Sequence, residues 1–370
     1  MIRKMKTRLA TPLCILSALL FMPLSASANL NLQKFTEKVT IKGDLRVRYE
    51  NKEKDISGED PTDRMRQRFR LGFQFDTNEN WSIAAGLATG GSDATSTNDT
   101  YSDGAFFETG DLRLDYAYAT HKMDNITLIA GQQKNPFKTT WALWDGDVRP
   151  AGFTGMIDLN PAFVTVGWYD VLYSDHDMAQ MAAVQAGAKL DMATIAVAYY
   201  HYQDQPLEMV KEVIAPEYGI DPTAMDEDYG YQIIDVYCEA DLKMDMVKIT
   251  PYFQAFMNLG AEGEDGQGLF GGDPEDENLG YLLGATVKID KVKVDVAYAR
   301  IGEDACNPLL KDSDFGEALD HVDVQGVKAG ISYKITDHCS AGFTAYLYEA
   351  IERDTDQEPK TYHVDLKYKF

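Results

Sequence analysis

Apolar and polar residues alternate along most of the chain. In 360–370, Tyr362, Val364, Leu366, Tyr368 and Phe370 share one parity, and His363, Asp365, Lys367 and Lys369 share the other. A strand turns successive side chains to opposite sides, so this spacing predicts a strand with one apolar and one strongly polar face. The pattern recurs. Val292, Val294, Val296 and Tyr298 alternate with Lys293, Asp295 and Ala297, and Tyr281, Leu283, Ala285, Val287 and Ile289 with Leu282, Gly284, Thr286 and Lys288. Leu112, Leu114, Tyr116 and Tyr118 alternate with Arg113, Asp115 and Ala117, and Val327, Ala329, Ile331 and Tyr333 with Lys328, Gly330, Ser332 and Lys334. The polar faces mix Lys, Arg, Asp, Gly and Ser, which suits a wet lumen better than a packed core.

The connections alternate as well. Short polar turns fall at 77–80, 122–125, 158–161, 191–192, 244–246, 290–291 and 336–338. Longer segments fall at 52–63, 91–108, 134–150, 173–179, 203–229, 257–278, 302–320 and 352–359. Together they predict an all-β fold: a transmembrane antiparallel up-and-down β-barrel of about 16 strands, with short periplasmic turns and long external loops. The segments around 150–158, short and Gly-rich, and 180–190, Ala-rich, are the least patterned of these strands. A β-propeller would show mostly short connections within a blade and no strict short–long alternation.

Arginine is concentrated at one place in this pattern. Arg64, Arg66, Arg68 and Arg70 share a face with Gly72 and Gln74, opposite Met65, Phe69, Leu71, Phe73 and Phe75. The preceding strand sets Lys42, Asp44, Arg46 and Arg48 against Ile41, Gly43, Leu45, Val47 and Tyr49, and Arg113 adds a cation further on. Facing lipid, each arginine would cost about 2–4 kcal/mol near the midplane, so the ladder must face inward. A dry interior would penalise unpaired arginines by several kcal/mol each, so the interior must be hydrated or rich in carboxylates. Arg46, Arg48, Arg64, Arg66, Arg68, Arg70 and Arg113 are therefore expected to line a pore. Asp145 and Asp147, with Trp141 and Trp144, are the candidate opposing wall if segment 134–150 folds inward; if it caps the outside, they are surface residues.

Residues 1–28 read as a secretory signal peptide. Arg3, Lys4, Lys6 and Arg8 precede the apolar stretch Leu13 to Leu24 and the small-residue site Ala26-Ser27-Ala28. Cleavage after Ala28 leaves 342 of the 370 residues and deepens the net charge from −24 to −28, since the removed segment carries four cations and no acid. Residues 29–38 read as a short periplasmic lead-in and 39–370 as the barrel. Cys238, Cys306 and Cys339, sparse and odd in number, form neither a disulfide scaffold nor a metal motif. So acidic a chain excludes nucleic acid as a partner, because phosphate binding needs clustered cations. Segments 203–229 and 257–278 carry most of the excess acid, which reads as solvated loop surface; a sharper reading has divalent cations bridging these loops to anionic lipid headgroups. The six histidines are dispersed, and neither His-Glu-x-x-His nor Gly-x-Ser-x-Gly occurs, so catalysis has no foothold and no cofactor is called for.

The stretch Ile41-Lys42-Gly43-Asp44-Leu45-Arg46-Val47-Arg48-Tyr49-Glu50, the Arg64–Arg70 ladder, Leu87-Ala88-Thr89-Gly90-Gly91 and Trp144-Asp145-Gly146-Asp147-Val148-Arg149-Pro150 together resemble the putative porins of Gram-negative outer membranes. The resemblance implies passive diffusion of ions and small hydrophilic solutes, an inward-folded third loop carrying Asp145 and Asp147, and a homotrimer among outer-membrane lipids. Tyr368 and Phe370 resemble the terminal aromatic signal read by the barrel-insertion machinery. One departure stands out: the family carries an acidic residue after the proline, where this chain has Ala151-Gly152. A substrate-selective channel with Tyr199, Tyr200, Tyr202, Tyr346 and Tyr348 as an aromatic rail is the nearest alternative, and a closed structural or adhesin barrel the next. The acidic loops favour cations at the mouth while the ladder favours anions inside; at low salt the loops are expected to prevail.

Overall fold

A computed structural model describes residues 38–370 except 57–58, 109, 175–176, 204–229, 264–267, 354 and 356. The signal peptide, most of the lead-in and nearly all of acidic segment 203–229 lie outside the described residues. Sixteen long strands form one antiparallel sheet: β1 Val39–Glu53, β2 Thr62–Asp76, β3 Trp81–Thr89, β4 Leu112–Met123, β5 Ile126–Gln132, β6 Ala151–Asp158, β7 Ala162–Ser174 and β8 Asp177–Lys189. Then come β9 Ala193–Gln203, β10 Gln232–Ala240 (continued by Leu242–Met244), β11 Val247–Asn258, β12 Leu279–Ile289, β13 Val292–Ile301, β14 Val324–Lys334, β15 Cys339–Ala350 and β16 Lys360–Lys369. Each pairs with its neighbours in sequence, and β16 returns to β1 in the register Asp44↔Lys369 to Glu53↔Lys360. Closure leaves no free sheet edge, as a β-structure in lipid requires.

The two faces divide as the alternation predicts. Val364, Leu366, Tyr368 and Phe370 are exposed on the outside, while His363 and Asp365 are buried within. On β1, Ile41, Leu45 and Tyr49 face out, and Asp44, Arg46, Arg48 and Glu50 are buried. The chain end completes the ring: Phe370 and Gly43 exchange backbone bonds of 3.0 and 3.1 Å. The Phe370 ring covers Gly43 so closely that a Cβ there would meet it at 2.4 Å, so only glycine fits.

Three expectations need correction. Leu114 and Tyr116 do not share a face. A β-bulge at Asp115 resets the parity, so Leu112 and Leu114 face out, while Tyr116 turns in over Gly72 and Gly86. Most of the seven-residue connection 173–179 is strand instead, since the flanking strands pair as far as Ser174 with Asp177. Segment 302–320 is not an external loop. Ala305, Cys306, Phe315 and Leu319 are buried in one cluster with Tyr348 and Leu282 from the wall, Lys311 is buried too, and Val322 just beyond the segment joins the cluster. Its acids are taken up too: Asp312, Asp314, Glu317 and Asp320 meet cations, while Glu303 and Asp304 accept from backbone N–H groups of residues 269–272.

Candidate functional site: the inner wall and the segments packed on it

Register sets the polar side chains of β16, β1 and β2 in rows. Going up the wall these are Lys369–Asp44–Arg70, Lys367–Arg46–Arg68, Asp365–Arg48–Arg66 and His363–Glu50–Arg64. The predicted ladder is thus interleaved with acids. Asp44 accepts from Arg68 (2.7 and 3.0 Å) and Arg70 (2.8 Å). Asp365 accepts from Arg48 at 2.8 and 3.2 Å. Glu50, wholly buried, takes Arg64 at 2.5 Å and Arg66 at 3.4 Å, with Lys52 at 3.6 Å and His363 at 3.3 Å. Such neighbours compensate the desolvation that burial imposes on each charge.

Segment 133–150 crosses from this wall to the far one. At one end Asp147 lies 3.3 Å from Arg70 and 3.8 Å from Arg149, and its other oxygen accepts from the Thr97 hydroxyl at 2.8 Å. In the middle, two buried glutamines hold its backbone. Gln185 of β8 accepts from Lys138 N and donates to Lys138 O, both at 2.8 Å, in the manner of a paired strand residue. Gln254 of β11, without any exposed surface, accepts from Thr140 N at 2.8 Å and donates to Thr139 Oγ1 and to Asp235, each at 2.9 Å. Backbone groups carried away from bulk water need such partners.

The predicted aspartates diverge. Asp147 meets the ladder; Asp145 faces segment 302–323 instead, with its N–H on Leu310 O (2.7 Å) and its carboxylate accepting from Asp147 N (2.5 Å). Burial, and then the charge of Asp312, push its carboxyl up to about 8. The tryptophans also turn from the ladder. Trp141 packs at a tilt against Phe315 (4.9 Å) under the Lys328 ammonium (4.7 Å), and Trp144 packs near Tyr200 (5.9 Å). Arg113 does not join the ladder: it donates to Gly91 O and Asp93 O, both at 2.5 Å, and so ties down segment 90–111. Of the aromatic rail, Tyr200, Tyr202, Tyr346 and Tyr348 face in but are buried beneath these segments, against Phe137, Trp144, Tyr231 and Phe315, while Tyr199 stacks beside His201. Between segment 133–150 and the β4–β8 wall a cavity of about 250 Å³ remains, lined by Arg113, Asp115, Trp144, Asp147, Arg149 and Tyr169 among others.

Sequence reasoning did not single out Asp44, Glu50, Asp365, Asp314, Gln185 or Gln254. Asp365 and His363 were visible as the polar parity of the last strand, and only barrel closure sets them beside β1. The glutamines carried no signal beyond their inward parity. Cys306 is buried and free in segment 302–323, and Cys238 and Cys339 are free as well.

A family model described as a putative porin matches residues 55–206, which span β2, segment 133–150 and the strands up to β9. Over these residues the chain is similar to the putative porin family. Solved porins share the fold of the whole barrel. A mutant of the Rh. blastica porin superposes with a TM-score of 0.54 at 11% identity, covering 90% of this chain and 100% of that one. A triple mutant of the Rhodopseudomonas blastica porin gives 0.53 at 12% identity over the same shares. No curated protein matches the chain in sequence. The matched segment therefore includes the Arg64–Arg70 ladder and Asp147, and lies in a barrel that shares its fold with solved porins.

Proposed function

We propose that this protein is an outer-membrane porin whose lumen passes ions and small hydrophilic solutes by diffusion, with segment 133–150 as its constriction. One observation carries the reading: charged side chains line the inside of a barrel whose outside is apolar, and a chain segment held across that interior meets the charged wall through Asp147 and Arg70. Guanidinium groups here are paired yet partly open to solvent, as at Arg70 and Arg64 with side chains 30% and 29% exposed. A polar wall of this kind supports water within the barrel and opposes apolar solutes. Export by the N-terminal segment, assembly as a homotrimer and insertion through Tyr368 and Phe370 belong to the same reading. The burial of Tyr200, Tyr202, Tyr346 and Tyr348 beneath packed segments argues against an open aromatic rail.

Swelling of liposomes containing the folded protein, in neutral sugars of rising size, tests this. Diffusion predicts rates that fall steadily with solute size and rise linearly with concentration. A rate that saturates for one sugar would favour the selective channel, and absence of swelling a closed barrel.

A further inference from the structure

Among the described residues, Arg46 is the buried arginine of this wall that lacks a counterion. Arg48, Arg64, Arg66, Arg68, Arg70 and Lys367 each have a carboxylate oxygen within 4.0 Å. Arg46 has none among the described residues. Its only side-chain partner there is the Asn98 amide oxygen, and its Nε has no hydrogen-bond partner although the residue is only 7% exposed. Register sharpens the imbalance, because Arg46 sits directly between Arg68 on β2 and Lys367 on β16. Like charges directly opposite one another destabilise a sheet. The nearest acids are already shared, Asp44 between Arg68 and Arg70, and Asp365 between Arg48 and Lys367. A buried guanidinium donor left unmade costs more than an ordinary missing bond.

We infer that the Lys367–Arg46–Arg68 row is a binding site for a small oxyanion solute, whose oxygens accept from Arg46 Nε and neutralise the row. Charge-assisted bonds from a guanidinium fork suit a carboxylate or phosphate group. The Lys367 side chain, 37% exposed, opens the row to the lumen, whereas Arg46 supplies the buried end. Asn98, reaching in from segment 90–111, closes the other side of Arg46 and donates to Ser96 Oγ at 3.3 Å, so its amide oxygen is the part turned toward the guanidinium. The inference rests on the channel reading for solute access, but binding is measurable without conduction.

The test is calorimetric titration of the folded, full-length barrel in detergent with inorganic phosphate, beside its single-channel conductance in chloride. One saturable site is expected, weakened at least about tenfold in Arg46→Gln and by a smaller factor in Lys367→Gln, with Arg46→Lys retaining most of the affinity. Lys367→Gln, at a partly exposed position, keeps the test decisive should Arg46→Gln fail to fold. No saturable binding in the wild type, or equal affinity in these variants, overturns the site. Phosphate binding by a barrel that does not conduct would instead overturn the channel reading and leave the site standing.

Discussion

Opposite sides of the barrel hold the same crossing segment by opposite chemistry. On the β16–β1–β2 side the contact is ionic: Asp147 meets Arg70 in a wall where nearly every cation shares an acid with another. On the β8–β11 side the backbone is held by neutral groups, with Gln185 and Gln254 taking up backbone groups of residues 138–140, and the one ion pair beside them, Lys138 with Glu239 at 3.3 Å, is partly exposed. Carboxamide contacts fix a position with little dependence on salt or pH, since neither partner titrates or is screened. Partly exposed ionic contacts respond to both. The neutral side thus anchors the segment, and the ionic side sets the field that solutes meet.

The comparison can be broken most forcefully at Glu50. Its removal as Glu50→Gln strands Arg64, Arg66 and Lys52 around a wholly buried position, a loss on the order of 3–5 kcal/mol. The temperature at which the folded barrel loses its compact migration in detergent gels should fall clearly; an unchanged temperature would mean that the charged wall does not support the fold. On the neutral side, Gln254→Ala leaves Thr140 N and Asp235 short of partners, at about 2–3 kcal/mol. Current through that variant should become noisy as the segment loosens, equally at low and high KCl. Asp147→Asn should cost only about 1 kcal/mol, because the pair is partly exposed, and its effect should fade as salt rises. It should also shift ion preference toward anions, read from the reversal potential.

The smallest expected effect is a pH dependence at the junction of segments 133–150 and 302–323. Asp145, its carboxyl pushed up to about 8 by burial and by Asp312, holds its proton in the folded state where the unfolded chain has lost it. Folded protein then binds more protons between the ordinary carboxylate range and about 8, so stability falls as pH rises across that window. Lys311, buried in the same junction and pulled down to about 8, acts only above that value, where rising pH relieves its burial. Unfolding temperatures from pH 5 to 8 should therefore decline in the wild type and stay flatter in Asp145→Asn. Parallel curves would remove Asp145 from the account.

Much of the barrel was legible because a strand in lipid must alternate, and alternation survives in a single sequence. The inward parity of Arg46, Arg48, Arg64, Arg66, Arg68 and Arg70 followed from it directly. What alternation cannot register is an extra residue: at Asp115 the bulge sent Tyr116 to the opposite face. Pairing between the two ends of the chain was equally hidden, so a wall that reads as basic from residues 42–70 gains Asp365 and His363 only on closure. Loop length also misleads. Segment 302–323 is long and acidic, yet Phe315, Leu319 and Val322 draw it inward, where Asp312 meets Lys328 at 2.6 Å and Asp314 meets Arg48 at 3.4 Å. Asp145 and Asp147, two residues apart in an irregular segment, went to different partners for the same reason: nothing periodic fixes the direction of a side chain outside a strand.

Single-channel conductance of the folded protein in a planar bilayer, with the reversal potential taken under a KCl gradient, tests the central claim most directly. A wet lumen crossed by segment 133–150 predicts stable, ohmic steps, whose reversal potential moves toward anions in Asp147→Asn. A correctly folded barrel that carries no current would contradict the account.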